Sequence, residues 1–298
     1  MKKVYSLIIG LILLSLSQAF AQTNYGLNQS YFLTDSGQVH TVRSYKPLDG
    51  FVPLFSPNGF FILPEFIDIA KSSYILDKED NLYTVDTNGY FYKYDFESEV
   101  GSKIKLAGES FFVTRDDSIY IILSNGTLKK ISKDEYNIDS NIKVLGGNYF
   151  ITRKNSIYFV NPFAGSIEKA AGEISRRKIE VVGDNYLVTK EGMLYAFGIK
   201  PDGAKVISTK TSFRYKNIKR IGGNFFFDAN NKIHTISTDG TIHSGKNGKG
   251  EQVRASRAPV QLGANYFIYP DNTFFIVDQD GLVHELETFQ SRIIFTTK

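Results

Sequence analysis

The chain has 298 residues, 42% hydrophobic and 22% charged, enough apolar side chain for a full core, which excludes a disordered tail or a mini-protein. Its formal charge of +4 is too small to imply nucleic acid, and it shrinks if Lys2 and Lys3 leave with a leader. The absence of cysteine removes disulfides, thiolate metal sites, cysteine nucleophiles and a lipidated N-terminal cysteine, while 25 Gly against 8 Pro, with 24 Phe and 18 Tyr, favour short strands joined by turns.

In chain order, residues 1–21 read as a secretory signal peptide. Lys2 and Lys3 precede an apolar run from Val4 to Leu16, and Ala19 and Ala21 flank Phe20, so cleavage is expected before Gln22. The run is too short to span a bilayer, so no transmembrane segment is expected after cleavage. Residues 22–298 then form a single domain, exported to the periplasm or outside the cell.

That domain repeats. An aromatic anchor opens a short apolar run at Tyr31, Tyr74, Phe111, Tyr149, Tyr186, Phe225 and Tyr266, at spacings of 43, 37, 38, 37, 39 and 41 residues. The two residues after each anchor are apolar throughout. Six residues on stand Gly37, Asp80, Asp117, Asn155, Gly192, Asn231 and Asn272, types that tolerate a left-handed turn. Nine on stand His40, Tyr83, Tyr120, Tyr158, Tyr195, His234 and Phe275, opening a second strand. A segment ending in glycine precedes the anchor, as in Ile142 to Gly147, and a more charged one follows the hairpin, as in Thr127 to Lys130. Four strands in about 38 residues make one blade, and the strands are apolar on both faces because each sheet stacks between two others.

The fold predicted is therefore all-β, a seven-bladed β-propeller closed by the C-terminal strand joining the first blade. The first unit lacks its leading strand, and Arg292-Ile293-Ile294-Phe295 is an orphan apolar segment that fits the gap. The glycine-ended strand is expected near the axis and the charged one outside.

Two inter-anchor segments depart from the repeat. Between Lys46 and Pro64 fall four of the eight prolines, which predicts a loop; it either packs over the closure seam or offers Phe51 and Phe55 to a docking partner. Ser244 to Arg257 predicts a flexible basic loop, whose glycines and lysines lack the spacing and the helix of a phosphate loop.

The residues that could carry chemistry are few. His40 and His234 stand where other units have Tyr or Phe, so they read as core imidazoles; His243 and His284 share an outer-strand position. Asp86-Thr87-Asn88-Gly89 and Asp278-Gln279-Asp280-Gly281 begin like a calcium loop but lack its remaining ligands, so they read as turns. No metal site or cofactor is expected. Six residues before the anchor stand Asp68, Lys105, Lys143, Glu180, Lys219 and Val260; pointing into the axial channel, their charges would suit a polar or anionic ligand.

From Gly183, the strand Tyr186 to Thr189, the turn at Gly192, Tyr195 and Phe197-Gly198 together resemble the repeat of the regulator-of-chromosome-condensation family. The resemblance implies a propeller. The units here are longer, lack that family's histidine after the leading glycine, and have Phe197-Gly198 in a single unit where the family has Trp-Gly. A nucleotide-exchange or chromatin role is therefore not carried over.

The functional expectation is a non-enzymatic binding or scaffold module, monomeric, with a protein or polymer partner in the cell envelope or outside the cell. The rival is a hydrolase or lyase on saccharide or peptide, with carboxylates from several blades meeting in the channel.

Overall fold

The computed structural model describes residues 30–286 except 34–38, 43–50, 54, 57–58, 61–66, 72, 87–89, 200–204, 212–214, 254–257, 272 and 279. Its strands form a series of small antiparallel sheets. Sheet I has three strands, Ser30–Leu33, Val39–Val42 and Phe51–Pro53, in chain order. Six four-stranded sheets follow, again in chain order, and we number them II to VII. Their anchor strands are Tyr74–Asp77, Phe111–Thr114, Tyr149–Thr152, Tyr186–Thr189, Phe225–Phe227 and Tyr266–Ile268.

The hairpin of each unit forms as its residues dictate. Asp80, Asp117, Asn155, Gly192 and Asn231, all six past an anchor, have φ between +57° and +84°. The turns pair position +1 with position +9, and the paired rings stack: Phe112 on Tyr120 at 5.2 Å, Phe150 on Tyr158 at 5.1 Å, Phe267 on Phe275 at 5.0 Å. The outer strand's charges also find a use. Lys93, Lys130 and Lys169 each set an ammonium 5.7–5.8 Å from the ring of Tyr83, Tyr120 or Tyr158.

Burial on both faces follows from stacking. All six anchors of sheets II to VII are fully buried. Each hydrophobic cluster joins two consecutive sheets: Tyr74 and Leu82 meet Phe112 and Tyr120, Phe111 and Ile121 meet Phe150 and Tyr158, and the pattern continues to Phe225 and Phe227 against Phe267 and Val283.

Backbone hydrogen bonds run between sheets as well. The amide of Ser73 donates to Glu109 O, Glu109 to Gly147 O, Gly147 to Asp184 O, Asp184 to Gly223 O and Gly223 to Ala264 O, at 2.7–3.1 Å. This belt joins the inner ends of all six four-stranded sheets. The inner ends converge on a common axis, and the architecture is that of a β-propeller.

One expectation needs correction. The proline-rich stretch is not a plain loop, because Phe51–Pro53 pairs with Val39–Val42 and Phe55–Ser56 pairs with Gly59–Phe60. Proline is tolerated there since Pro53 ends a strand at the edge of its sheet. In the described part of the basic segment, Asn247 Oδ1 accepts from the amides of Lys249 and Glu251, and Val283 N donates to Lys246 O. The orphan segment Arg292–Phe295 lies outside the described residues.

Candidate functional site

The inner strands determine what lies at the axis. Three residues before the anchor stands a glycine in sheets III to VII, namely Gly108, Gly146, Gly183, Gly222 and Gly263. A Cβ on Gly108, Gly146, Gly183 or Gly222 would collide with the anchor ring of its own sheet, at 2.1 Å from Tyr149 for Gly146 and 2.1 Å from Tyr186 for Gly183. Two residues before the anchor, Gly147, Gly223 and Ala264 keep side chains small. The outcome is a cavity of about 580 Å³ lined by all six four-stranded sheets.

Three charged side chains break the rule of small residues. Lys71 replaces the glycine in sheet II, and Glu109 and Asp184 stand on sheets III and V. Each carboxylate nests against a glycine of the sheet between or beyond. A Cβ on Gly147 would lie 2.7 Å from Asp184 Cβ and 2.9 Å from Glu109 Cγ, and one on Gly223 would overlap Asp184 Oδ2.

Lys71 Nζ reaches Glu109 Oε1 at 3.4 Å, with the Glu109 side chain only 6% exposed. That carboxylate holds the Lys71 ammonium above its ordinary value against the opposing effect of burial, and Asp184 adds to the shift. The Asp184 carboxyl is raised well above the usual carboxylate range, first by burial and then by Glu109, with Lys71 pulling it back. Asp184 lines the cavity, but its Oδ2 is closed to solvent and has no hydrogen-bond partner among the described residues. A buried ion pair with a second carboxyl beside it can hold a proton, orient a polar ligand or neutralise a cation.

The residues singled out six positions before the anchor are arranged differently. Asp68, Lys105, Lys143 and Glu180 each occupy a β-bulge of the inner strand, where the register slips by one residue. The side chains of Lys105, Lys143, Glu180 and Lys219 are exposed and do not line the cavity, whereas Val260 does. Lys105 pairs with Asp117 at 2.9 Å; together with Lys133 and Lys143 it keeps that carboxyl below its usual range. The side chains of Asp68, Phe51 and Phe55 lie outside the described residues.

His234, His284 and the aspartates Asp86 and Asp278 are locally satisfied, while the side chain of His40 lies outside the described residues. His234 is buried, stacks on Phe226 at 5.1 Å, and sets Nε2 3.0 Å from Asp228 Oδ2. His284 lies 2.7 Å from Asp278, whose other oxygen accepts from the amides of Asp280 and Leu282. Asp86 accepts from Tyr90 N and from the Tyr92 hydroxyl. Among the described residues no three metal-ligating side chains cluster.

The sequence reading passed over Lys71, Glu109 and Asp184. The signal was there as an exception: large charged residues in columns that the other units keep as glycine or alanine.

No family model matches the chain, and no curated protein does. Among solved structures it is similar to Prp20p from Saccharomyces cerevisiae, described with its binding properties to Gsp1p and histones, at 12% identity over 83% of this chain and 79% of that one, with a TM-score of 0.43. The same yeast RCC1 (Prp20) in complex with Kap60 gives 12% identity over 76% and 72%, with a TM-score of 0.40. PorZ, a surface component of the type-IX secretion system of Porphyromonas gingivalis, gives 13% identity over 74% of this chain but 32% of its own, with a TM-score of 0.32.

Proposed function

We propose that the chain is an exported, monomeric seven-bladed propeller acting as a non-enzymatic binding module, with its ligand seated in the axial cavity. In this reading residues 1–21 are the signal peptide, sheet I is the first blade, and Arg292–Phe295 supplies its inner strand. The observation that carries the binding site is the meeting of Lys71, Glu109 and Asp184, from three different sheets, in one cavity. A volume of about 580 Å³ suits a small molecule or a single protruding side chain. Binding is favoured over catalysis because, among the described residues of the cavity, one of the two carboxyls, Glu109, is already paired with Lys71. The exposed row of Lys105, Lys143, Glu180 and Lys219, and the segment with Phe51 and Phe55, are kept as secondary contact surfaces for a partner.

One observation favours the enzymatic reading: the Asp184 carboxyl, raised well above the usual carboxylate range by burial and by Glu109, has the character of a general acid. A single experiment separates the two. Immobilised mature chain, residues 22–298, is incubated with envelope extract from its own cells, and what it retains is eluted and weighed by mass spectrometry. Binding predicts a stoichiometric partner recovered intact and released by Asp184→Asn. A chemically converted ligand would support the enzyme, and retention indifferent to Asp184→Asn would move the site off the axis.

A further inference from the structure

We infer that the axial cavity takes an aliphatic monocarboxylate, its head held by Arg220 and its stem by a ring of apolar residues. This rests on the reading of the cavity as a binding site and goes on to name what it binds. The first argument is charge. Among the described residues four charged side chains line the cavity: Lys71 on sheet II, Glu109 on sheet III, Asp184 on sheet V and Arg220 on sheet VI. Lys71 is paired with Glu109 at 3.4 Å, and Asp184 feels those two. Arg220 acts instead on Tyr269, next to the anchor strand of sheet VII, and forms no ion pair among the described residues. Asp271, which acts on the same tyrosine, stands in the turn of the sheet VII hairpin and does not line the cavity. Two cations thus stand against two carboxyls, and against one whenever Asp184 keeps the proton that its burial favours, so a single added negative charge is balanced and a double one is not.

The second argument is access. The Glu109 side chain is 6% exposed and Asp184 Oδ2 is closed to solvent against Gly223, so the carboxyls are turned into the protein, whereas Arg220 is half-buried. Its guanidinium offers a ligand a planar fork of donors, which fits a carboxylate with two parallel bonds. The third is shape. Four residues before the anchor stand Ala107, Leu145, Val182, Ile221 and Leu262, one from each of sheets III to VII; all five line the cavity and none is buried. Ile221, next to Arg220 in the chain, is 43% exposed. Apolar surface left open inside a cavity is covered at a gain by a hydrocarbon stem. A stem of several methylenes can lie in this ring while its head meets the guanidinium; inorganic phosphate would leave the ring uncovered.

The test is calorimetric titration of the full mature chain with sodium hexanoate, sodium acetate, n-hexanol, n-hexylammonium chloride and inorganic phosphate. Hexanoate is expected to bind about tenfold or more tightly than acetate, which lacks the stem, and than hexanol, which lacks the charge-assisted bond. Arg220→Gln should abolish the preference for hexanoate over hexanol, and Arg220→Lys should restore only part of it, since an ammonium keeps the charge but not the fork. Should the Arg220 variants misfold, the surface substitution Ile221→Ser provides a second readout, weakening hexanoate while sparing acetate. Nα-acetyl-leucine binding as well as hexanoate would assign the carboxylate to a protein C-terminus, and its exclusion would assign it to a free aliphatic acid. Equal or tighter binding of acetate, hexanol, hexylammonium or phosphate overturns the inference, as does a hexanoate affinity untouched by Arg220→Gln. If no carboxylate binds but the extract still yields a partner released by Asp184→Asn, the carboxylate inference falls and the binding module stands; if neither is seen, both fall.

Discussion

At the scale of single residues, the glycine that recurs three residues before the anchor in sheets III to VI is a packing requirement. Gly146 and Gly183 lie under the Tyr149 and Tyr186 rings so closely that a methyl group has no space. Gly146→Ala should therefore cost about 1–3 kcal/mol through overpacking, whereas Gly248→Ala, with nothing within 4 Å of the added Cβ, should be near neutral. Urea unfolding of the two variants checks the contrast. The ring itself matters more. Tyr149 is fully buried, lies 4.0 Å from Phe197 ring to ring, and donates its hydroxyl to Tyr186 O at 2.7 Å. Tyr149→Ala should cost about 3–5 kcal/mol; Tyr149→Phe, which keeps the ring and loses the hydrogen bond, about 0.5–1.5 kcal/mol. Equal losses would mean that the hydroxyl and not the ring holds the interface.

At the scale of the element, the hairpins of sheets II and VI are closed by an aspartate at position +3. Asp77 and Asp228 accept from two turn amides with Oδ1 and meet the residue at +9 with Oδ2: Tyr83 in one sheet, His234 in the other. Burial lowers the His234 imidazole below its ordinary value, outweighing Asp228, which acts to raise it. The unfolded chain then takes up a proton at this histidine before the folded one does, so stability falls as pH drops through and below the ordinary histidine range. The lowered Asp228 carboxyl has the same sign at lower pH, below the ordinary carboxylate value. His234→Tyr, the residue native to Tyr83, Tyr120, Tyr158 and Tyr195, should flatten the upper part of that slope, read from urea midpoints at pH 5 and 7.5. An unchanged slope would place the acid sensitivity elsewhere. The hairpins were legible because burial on two faces and a left-handed turn each leave a fixed column of residue types. The bulges at Asp68, Lys105, Lys143 and Glu180 were not, since an inserted residue changes register without changing composition. Lys71, Glu109 and Asp184 were obscured for another reason: side chains from sheets far apart in sequence meet only once the ring has formed.

For the whole molecule, stability is shared through interfaces, as each core cluster belongs to two neighbouring sheets and the amide belt from Ser73 to Ala264 ties their inner ends. A row of this kind is weakest where a sheet lacks a neighbour or a strand. Sheet I is that place among the described residues: it has three strands where the next six have four, and Ser30–Leu33 pairs on one side only. The proposed closure puts Ile293, Ile294 and Phe295 there. At about 1.5–3 kcal/mol for each buried side chain, the latch would contribute on the order of 5 kcal/mol gross, comparable with the total stability of an ordinary domain. Removing residues 288–298 should accordingly lower Tm by many degrees. Hydrogen exchange should show where the loss begins, with the amides of Ser30–Leu33 and Val39–Val42 losing protection well before those of Tyr149–Thr152 and Tyr186–Thr189, which lie between complete sheets. If the truncated chain melts with the intact one and protects sheet I equally, the tail is not the missing strand, and the first blade is completed by other residues or left with three.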